Sequence, residues 1–127
     1  MKVLLSIKPE FVEKIFSGEK RYEYRKAIFS KFTVTTVVIY ATMPVGKIVG
    51  EFTVDSIIED GPSELWDATK EYSGITNSFY WEYFSGRKKA YAIKIGGPVK
   101  YNEAIDPYEL DKAFCPPQSF RYLYAEQ

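Results

Sequence analysis

The sequence predicts an α+β domain: a small twisted β-barrel with helices on its rim. Three observations point there. Alternating, β-branched segments outnumber what a strand–helix–strand repeat would need. The helical stripes between them are short and bounded by glycine and proline. No repeat, low-complexity stretch or linker divides the 127 residues, a length that builds one substantial core, so residues 1–127 are expected to form a single domain.

Val3 to Ile7 reads as a short buried strand. Pro9 then suits the first position of a helix, with Glu10 and Glu13 near the positive end of its dipole. Phe11, Val12, Ile15 and Phe16 make one apolar stripe, and Gly18 supplies the stop. The segment after it changes to period two, with Tyr22 and Tyr24 on one face and Arg21, Glu23 and Arg25 on the other. Thr33 to Thr42 reads as a central strand, Met43 to Gly46 as a turn, and Lys47 to Ile58 as an alternating strand with Gly50 a bulge.

Gly61-Pro62 breaks the pattern, and Ser63 is expected to cap a helix running through Tyr72. Thr76 or Asn77 opens a second helix whose Phe79, Tyr80, Tyr83 and Phe84 share a stripe, and Gly86 ends it. Lys89 to Ile95 is a strand, Gly96-Gly97-Pro98 a turn, and Val99 to Ile105 a further strand. Asp106-Pro107 opens a short helix, and Pro116-Pro117 introduces a last one carrying Phe120 and Leu123.

Composition limits the chemistry. Histidine is absent and Cys115 is the only cysteine, which excludes an internal disulfide, Cys/His zinc sites and histidine acid–base catalysis. Catalysis would fall to Lys, Glu, Asp, Tyr, Ser or Thr; no metal or cofactor is expected. Apolar runs such as Val37 to Ala41 are too short to span a bilayer, and the first residues lack a signal-peptide core. A cytoplasmic protein without membrane contact is expected.

Net charge is zero, yet unevenly distributed. Residues 1–31 carry eight basic and four acidic side chains, residues 84–102 five basic and none acidic, and residues 48–83 eight acids against Lys70. Folding can gather the basic segments into a cleft or intermix the signs, and charge alone leaves both open.

The stretch Gly18-Glu19-Lys20-Arg21-Tyr22-Glu23-Tyr24-Arg25 matches G-x-K-x-x-E-x-R. It resembles the signature of ASCH domains (activating signal cointegrator homology), members of the PUA-like superfamily. "LLSIKPEFVEKIFSGEK", "YFSGRKKAYAIKI" and "PPQSFRYL" resemble the family's opening, its late helix-to-strand passage and its ending, so the likeness spans nearly the whole chain. The resemblance implies a PUA-like β-barrel, a cleft where the signature residues gather, and RNA or a nucleotide as ligand. One branch of relatives hydrolyses N4-acetylcytidine with a threonine three residues after the motif lysine. Glu23 stands there in this chain, and a carboxylate does not replace that hydroxyl.

Lys20 follows the helix stop, where it can meet a phosphate or, if buried, act as a base. Glu23 and Arg25 share one face of a strand, as a phosphate or base-edge reader or as an ordinary ion pair. Lys20 has the opposite parity, so a shared site requires the strand to begin at or after it, or to bend there. Lys8 sits beside the free N–H groups of the first helix, and Ser119 and Arg121 are placed to close a cleft. Phe11, Phe16, Phe52 and Phe84 are expected in the core; Tyr24, Trp66 and Trp81 are the candidate stacking rings.

The leading expectation is an RNA-binding module that contacts its ligand through Lys8, Lys20, Glu23, Arg25 and Arg121. Alternatives are a hydrolase of RNA or a modified nucleoside, with Lys20 as base and Tyr24 or Ser119 as proton partner, and a protein-interaction domain.

Overall fold

The computed structural model describes residues 1–30 and 33–123. Strand β1 (Lys2–Ile7) leads through Lys8 into α1 (Pro9–Ser17), followed by β2 (Tyr22–Arg25), β3 (Thr36–Ala41) and the long β4 (Lys47–Asp60). Helix α2 (Pro62–Thr69), a 3₁₀ turn (Lys70–Tyr72) and α3 (Asn77–Tyr83) come next. The chain then forms β5 (Ala90–Ile105), α4 (Pro107–Leu110) and β6 (Phe120–Leu123).

The six strands form one mixed sheet in the order β2-β5-β4-β3-β1-β6. Only β1 and β3 run parallel, joined through α1 and β2; every other neighbouring pair is antiparallel. The α+β expectation stands, but the barrel does not: among the described residues β2 and β6 remain the two borders and do not pair with each other. Each border strand is four residues long, and barrel closure needs a continuous backbone ladder between the borders.

Two other expectations are corrected. Gly96-Gly97-Pro98 does not end a strand; β5 runs through it, because its residues pair with β4 from Ile105 opposite Ile48 to Ala90 opposite Asp60. Register shifts in this ladder absorb the irregularity, and Gly97 takes a positive φ of 44° that favours glycine. The last segment is a strand rather than a helix. Phe120 to Leu123 pair with Leu5 to Lys2, and Phe120 and Tyr122 turn toward the main core.

The sheet is buried on both faces. Val3, Leu5 and Ile7 of β1 join Val37, Ile39 and Ala41 of β3, Phe52 and Ile93 beneath Val12 and Ile15 of α1. On the other face Tyr24, Ala90 and Ala92 pack with Leu65, Tyr80 and Phe84 of the α2–α3 region, while Leu4, Val38 and Tyr40 pack on Phe114. Helix α1 starts with Pro9 and ends where Gly18 adopts φ +86° and donates its N–H to the Ile15 carbonyl. Phe11 and Phe16, expected inside, are only partly buried against this core. Helix α2 begins at Pro62 after an N-cap at Gly61, two residues earlier than the Ser63 cap implies. Thr76 caps α3 by accepting the Phe79 N–H at 3.1 Å.

Gly50 allows the β4–β5 crossing to close. A Cβ there would lie 2.4 Å from the Val99 carbonyl oxygen and 2.5 Å from the Phe16 ring. Gly50→Ala is expected to lower stability by about 2 kcal/mol, the cost of overpacking a closed site. Urea unfolding of the two proteins checks this; equal midpoints would refute it.

Candidate functional site

Local backbone geometry aims Lys20. After Gly18 reverses the chain, the Lys20 N–H donates to the Lys14 carbonyl (3.0 Å) and the Arg21 N–H to that of Tyr72 (2.8 Å). Strand β2 begins only at Tyr22, so the parity conflict between Lys20 and Glu23 does not arise. Lys20 Nζ donates to the Ser73 carbonyl at 2.7 Å and lies 3.9 Å from Glu23 Oε1. The ammonium also sits 5.4 Å from the Phe11 ring centre and 5.0 Å from that of Tyr24. Its stem packs on Gly74, where a Cβ would come within 2.4 Å of Lys20 Cβ.

Glu23 Oε2 meets Arg25 Nη2 at 3.0 Å. The same Nη2 donates to the Ser6 carbonyl (2.9 Å), and Nη1 donates to that of Ser119 (3.3 Å). The side chains of Lys20, Glu23 and Arg25 are 1%, 9% and 11% exposed, so three charges share a nearly dry site. Arg25 Nε is buried without a hydrogen-bond partner among the described residues. A cleft of about 140 Å³ opens over this group, lined also by Ser6, Ile7, Lys8, Ile75, Phe79 and Tyr83.

Burial dominates the titration of Lys20, pulling its ammonium down to about 8; Glu23 opposes that shift, and Arg25 and Lys14 add to it. Burial likewise pushes the Tyr24 phenol up to about 12, against its hydrogen bond with Thr69. Tyr24 lends its ring to the cleft, but its hydroxyl is engaged with Thr69 Oγ1 at 2.7 Å.

Lys8 is exposed at the cleft mouth. Ser119 reaches the group through its backbone carbonyl, which Arg25 binds. Arg121 lies elsewhere: it is exposed on β6, on the face opposite Phe120 and Tyr122, with its guanidinium 6.0 Å from the Phe114 ring centre. The strand it occupies, in place of the expected helix, turns it away from the cleft.

The profile of the ASCH domain matches residues 5–99. The chain belongs to the ASCH domain family. It is 30% identical to an ASCH domain-containing ribonuclease of Zymomonas mobilis over 98% of this chain and 85% of that one. The solved structure of ASCH from Zymomonas mobilis superposes with a TM-score of 0.89 at 28% identity, covering 97% of this chain and 87% of that one. A large ribosomal subunit protein uL22 of Ureaplasma parvum is 29% identical over 95% of this chain, which spans only 39% of that protein's length.

Sequence reasoning on this ASCH domain missed the outer wall of the cleft. Phe79, Tyr80, Tyr83 and Phe84 read as one stripe, with only Phe84 assigned to the core, but the stripe divides. Tyr80 and Phe84 are 0% and 2% exposed, whereas Phe79 and Tyr83 face the cleft. Their pairing at i and i+4, one position off the Tyr80/Phe84 pair, was the available signal. Nothing in the sequence marks Ser73, whose carbonyl holds Lys20 from 53 residues away. Of the three candidate stacking rings, Tyr24 is buried, Trp66 packs on Tyr80 with ring centres 4.4 Å apart, and only Trp81 is well exposed. Among the described residues no helix is long and apolar enough to cross a membrane.

Lys20 sets a stability window. The folded protein releases the Lys20 proton near pH 8, whereas the unfolded chain holds it to the usual lysine value of 10.5. Between these values the unfolded state binds more protons, so this group makes stability rise with pH; below pH 8 the full cost of burying the charge remains. The stability of the native protein relative to Lys20→Met is therefore expected to rise across the window, on the order of 3 kcal/mol in total. Urea unfolding of both proteins at stepped pH checks this, and a constant difference would refute it.

Proposed function

We propose that this ASCH domain is a ribonuclease that holds one nucleotide unit of an RNA strand in the cleft. The observation that carries the reading is Lys20: an amine at the floor of the cleft, titrating at about 8, beside an arginine with an unpartnered donor. The 30% identity to a Zymomonas mobilis protein named as a ribonuclease supports the same chemistry.

In this reading the RNA phosphate takes the free Nε–H of Arg25 and the charge of Lys8. While Lys20 is protonated, one positive charge is in excess within the Lys20–Glu23–Arg25 group, which favours the entry of an anion; once Lys20 is neutral, Arg25 and Lys8 hold the phosphate. The neutral form of Lys20 takes the proton of the ribose 2′-hydroxyl, a role that suits an amine whose affinity for protons lies near the working pH. The 2′-oxygen bonds to phosphorus, the bond from phosphorus to the 5′-oxygen breaks, and water protonates the departing oxygen. The products are a 2′,3′-cyclic phosphate and a 5′-hydroxyl end. Glu23 holds Arg25 in place, and the Ser73 carbonyl holds Lys20.

End-labelled RNA incubated with the protein tests this. Cleavage is expected to rise with pH through about 8, with cyclic phosphate ends, and to fall roughly a hundredfold or more in Lys20→Met. RNA that is bound but never cut would reduce the domain to a binding module. Cleavage that persists in Lys20→Met would remove the lysine from the chemistry.

A further inference from the structure

Two rings on one side of α3 stand at the cleft mouth in a particular arrangement. Phe79 and Tyr83 are nearly parallel, 10° apart in plane with centres 6.3 Å apart, and both line the cleft. Each has a lysine over its ring: Lys8 Nζ is 5.1 Å from the Phe79 centre, and Lys26 Nζ is 4.7 Å from the Tyr83 centre. Both lysines are exposed, and neither forms an ion pair among the described residues.

We propose that Phe79 and Tyr83 form a stacking site for the bases adjoining the nucleotide in the cleft, with Lys8 and Lys26 as the contacts to their phosphates. The inference rests on the RNA reading above but not on cleavage. An exposed lysine over a ring is a weak, exchangeable cover. A base on the same ring gains more contact, because every base offers a flat face of matching size. The displaced ammonium needs only to swing on its flexible stem to meet the phosphate attached to that base. Two parallel rings spaced along one helix suit successive bases of a single strand, whereas the bases of a duplex are already stacked on one another.

The test uses a short fluorescent 2′-O-methyl RNA, which has no 2′-hydroxyl proton and is not cleaved by the proposed route. Anisotropy is measured with the intact chain over a range of salt. Phe79→Leu and Tyr83→Leu are each expected to weaken binding roughly five- to hundredfold, and Tyr83→Phe to leave it nearly unchanged. Lys8→Gln and Lys26→Gln should each reduce the slope of log affinity against log salt by about 0.7. An oligonucleotide carrying abasic sites beside one retained base should bind the native protein at least as weakly as either leucine variant binds the complete strand.

Leucine variants that keep native circular dichroism and bind within about twofold of the native protein would overturn the stacking site. Equal binding of abasic and complete strands would do so even if the leucine variants fail to fold. No binding of either strand by the native protein would overturn this site and the RNA reading together. Binding without cleavage of ordinary RNA would overturn only the ribonuclease.

Discussion

The guanidinium of Arg25 donates to the carbonyls of Ser6 (2.9 Å) and Ser119 (3.3 Å) while Glu23 holds it at 3.0 Å. A side chain on one border strand thereby reaches the β1 end and the segment entering β6, which carries the opposite border. The sheet curls without closing, and this bridge spans the remaining gap. Glu23 is required because a lone buried guanidinium would be costly to desolvate. Losing one partner of a buried pair typically costs about 3–5 kcal/mol, through the charge left behind.

The same arrangement gives the cleft its character. Lys20 shares the Glu23 carboxylate with Arg25, so two cations depend on one anion in a site that excludes most water. A neutral core would pack as well and fold with less penalty. In the proposed reading the imbalance, present while Lys20 is protonated, favours an entering anion, and it does so where screening is weak. The aromatic walls, Phe11 and Tyr24 near Lys20 and Phe79 and Tyr83 at the mouth, keep that region of low polarity.

Local rules carried much of the fold. Pro9 and Gly18 bound α1 as their backbone preferences require, and the alternation of Tyr22 to Arg25 gives β2 and its two faces. Where local chemistry competed with pairing, pairing prevailed. Gly96-Gly97-Pro98 has turn composition, but the ladder with β4 keeps it in a strand; Pro116-Pro117 precede a strand because β1 offers a free border to Phe120–Leu123. At the site, the motif located Lys20, Glu23 and Arg25, but the burial of Lys20 depends on Ser73 and Gly74, which no spacing rule connects to it. The uneven charge along the chain also resolved both ways. Lys2 pairs with Glu51 and Lys89 with Glu59, which intermixes part of each basic segment with the acidic one, while Lys8 and Lys26 remain at the cleft.

The pairing of β1 with β6 sets Lys2 opposite Leu123. These positions near the two ends of the described chain are therefore neighbours across one ladder, on a border of the sheet away from β2. Two positions so placed allow a body of this kind to be joined to another through a single narrow stalk. It can be grafted at a terminus or into a surface loop of a host without prising the host's own strands apart, and its cleft, at the side where α1 and α3 meet, keeps its walls whichever host carries it.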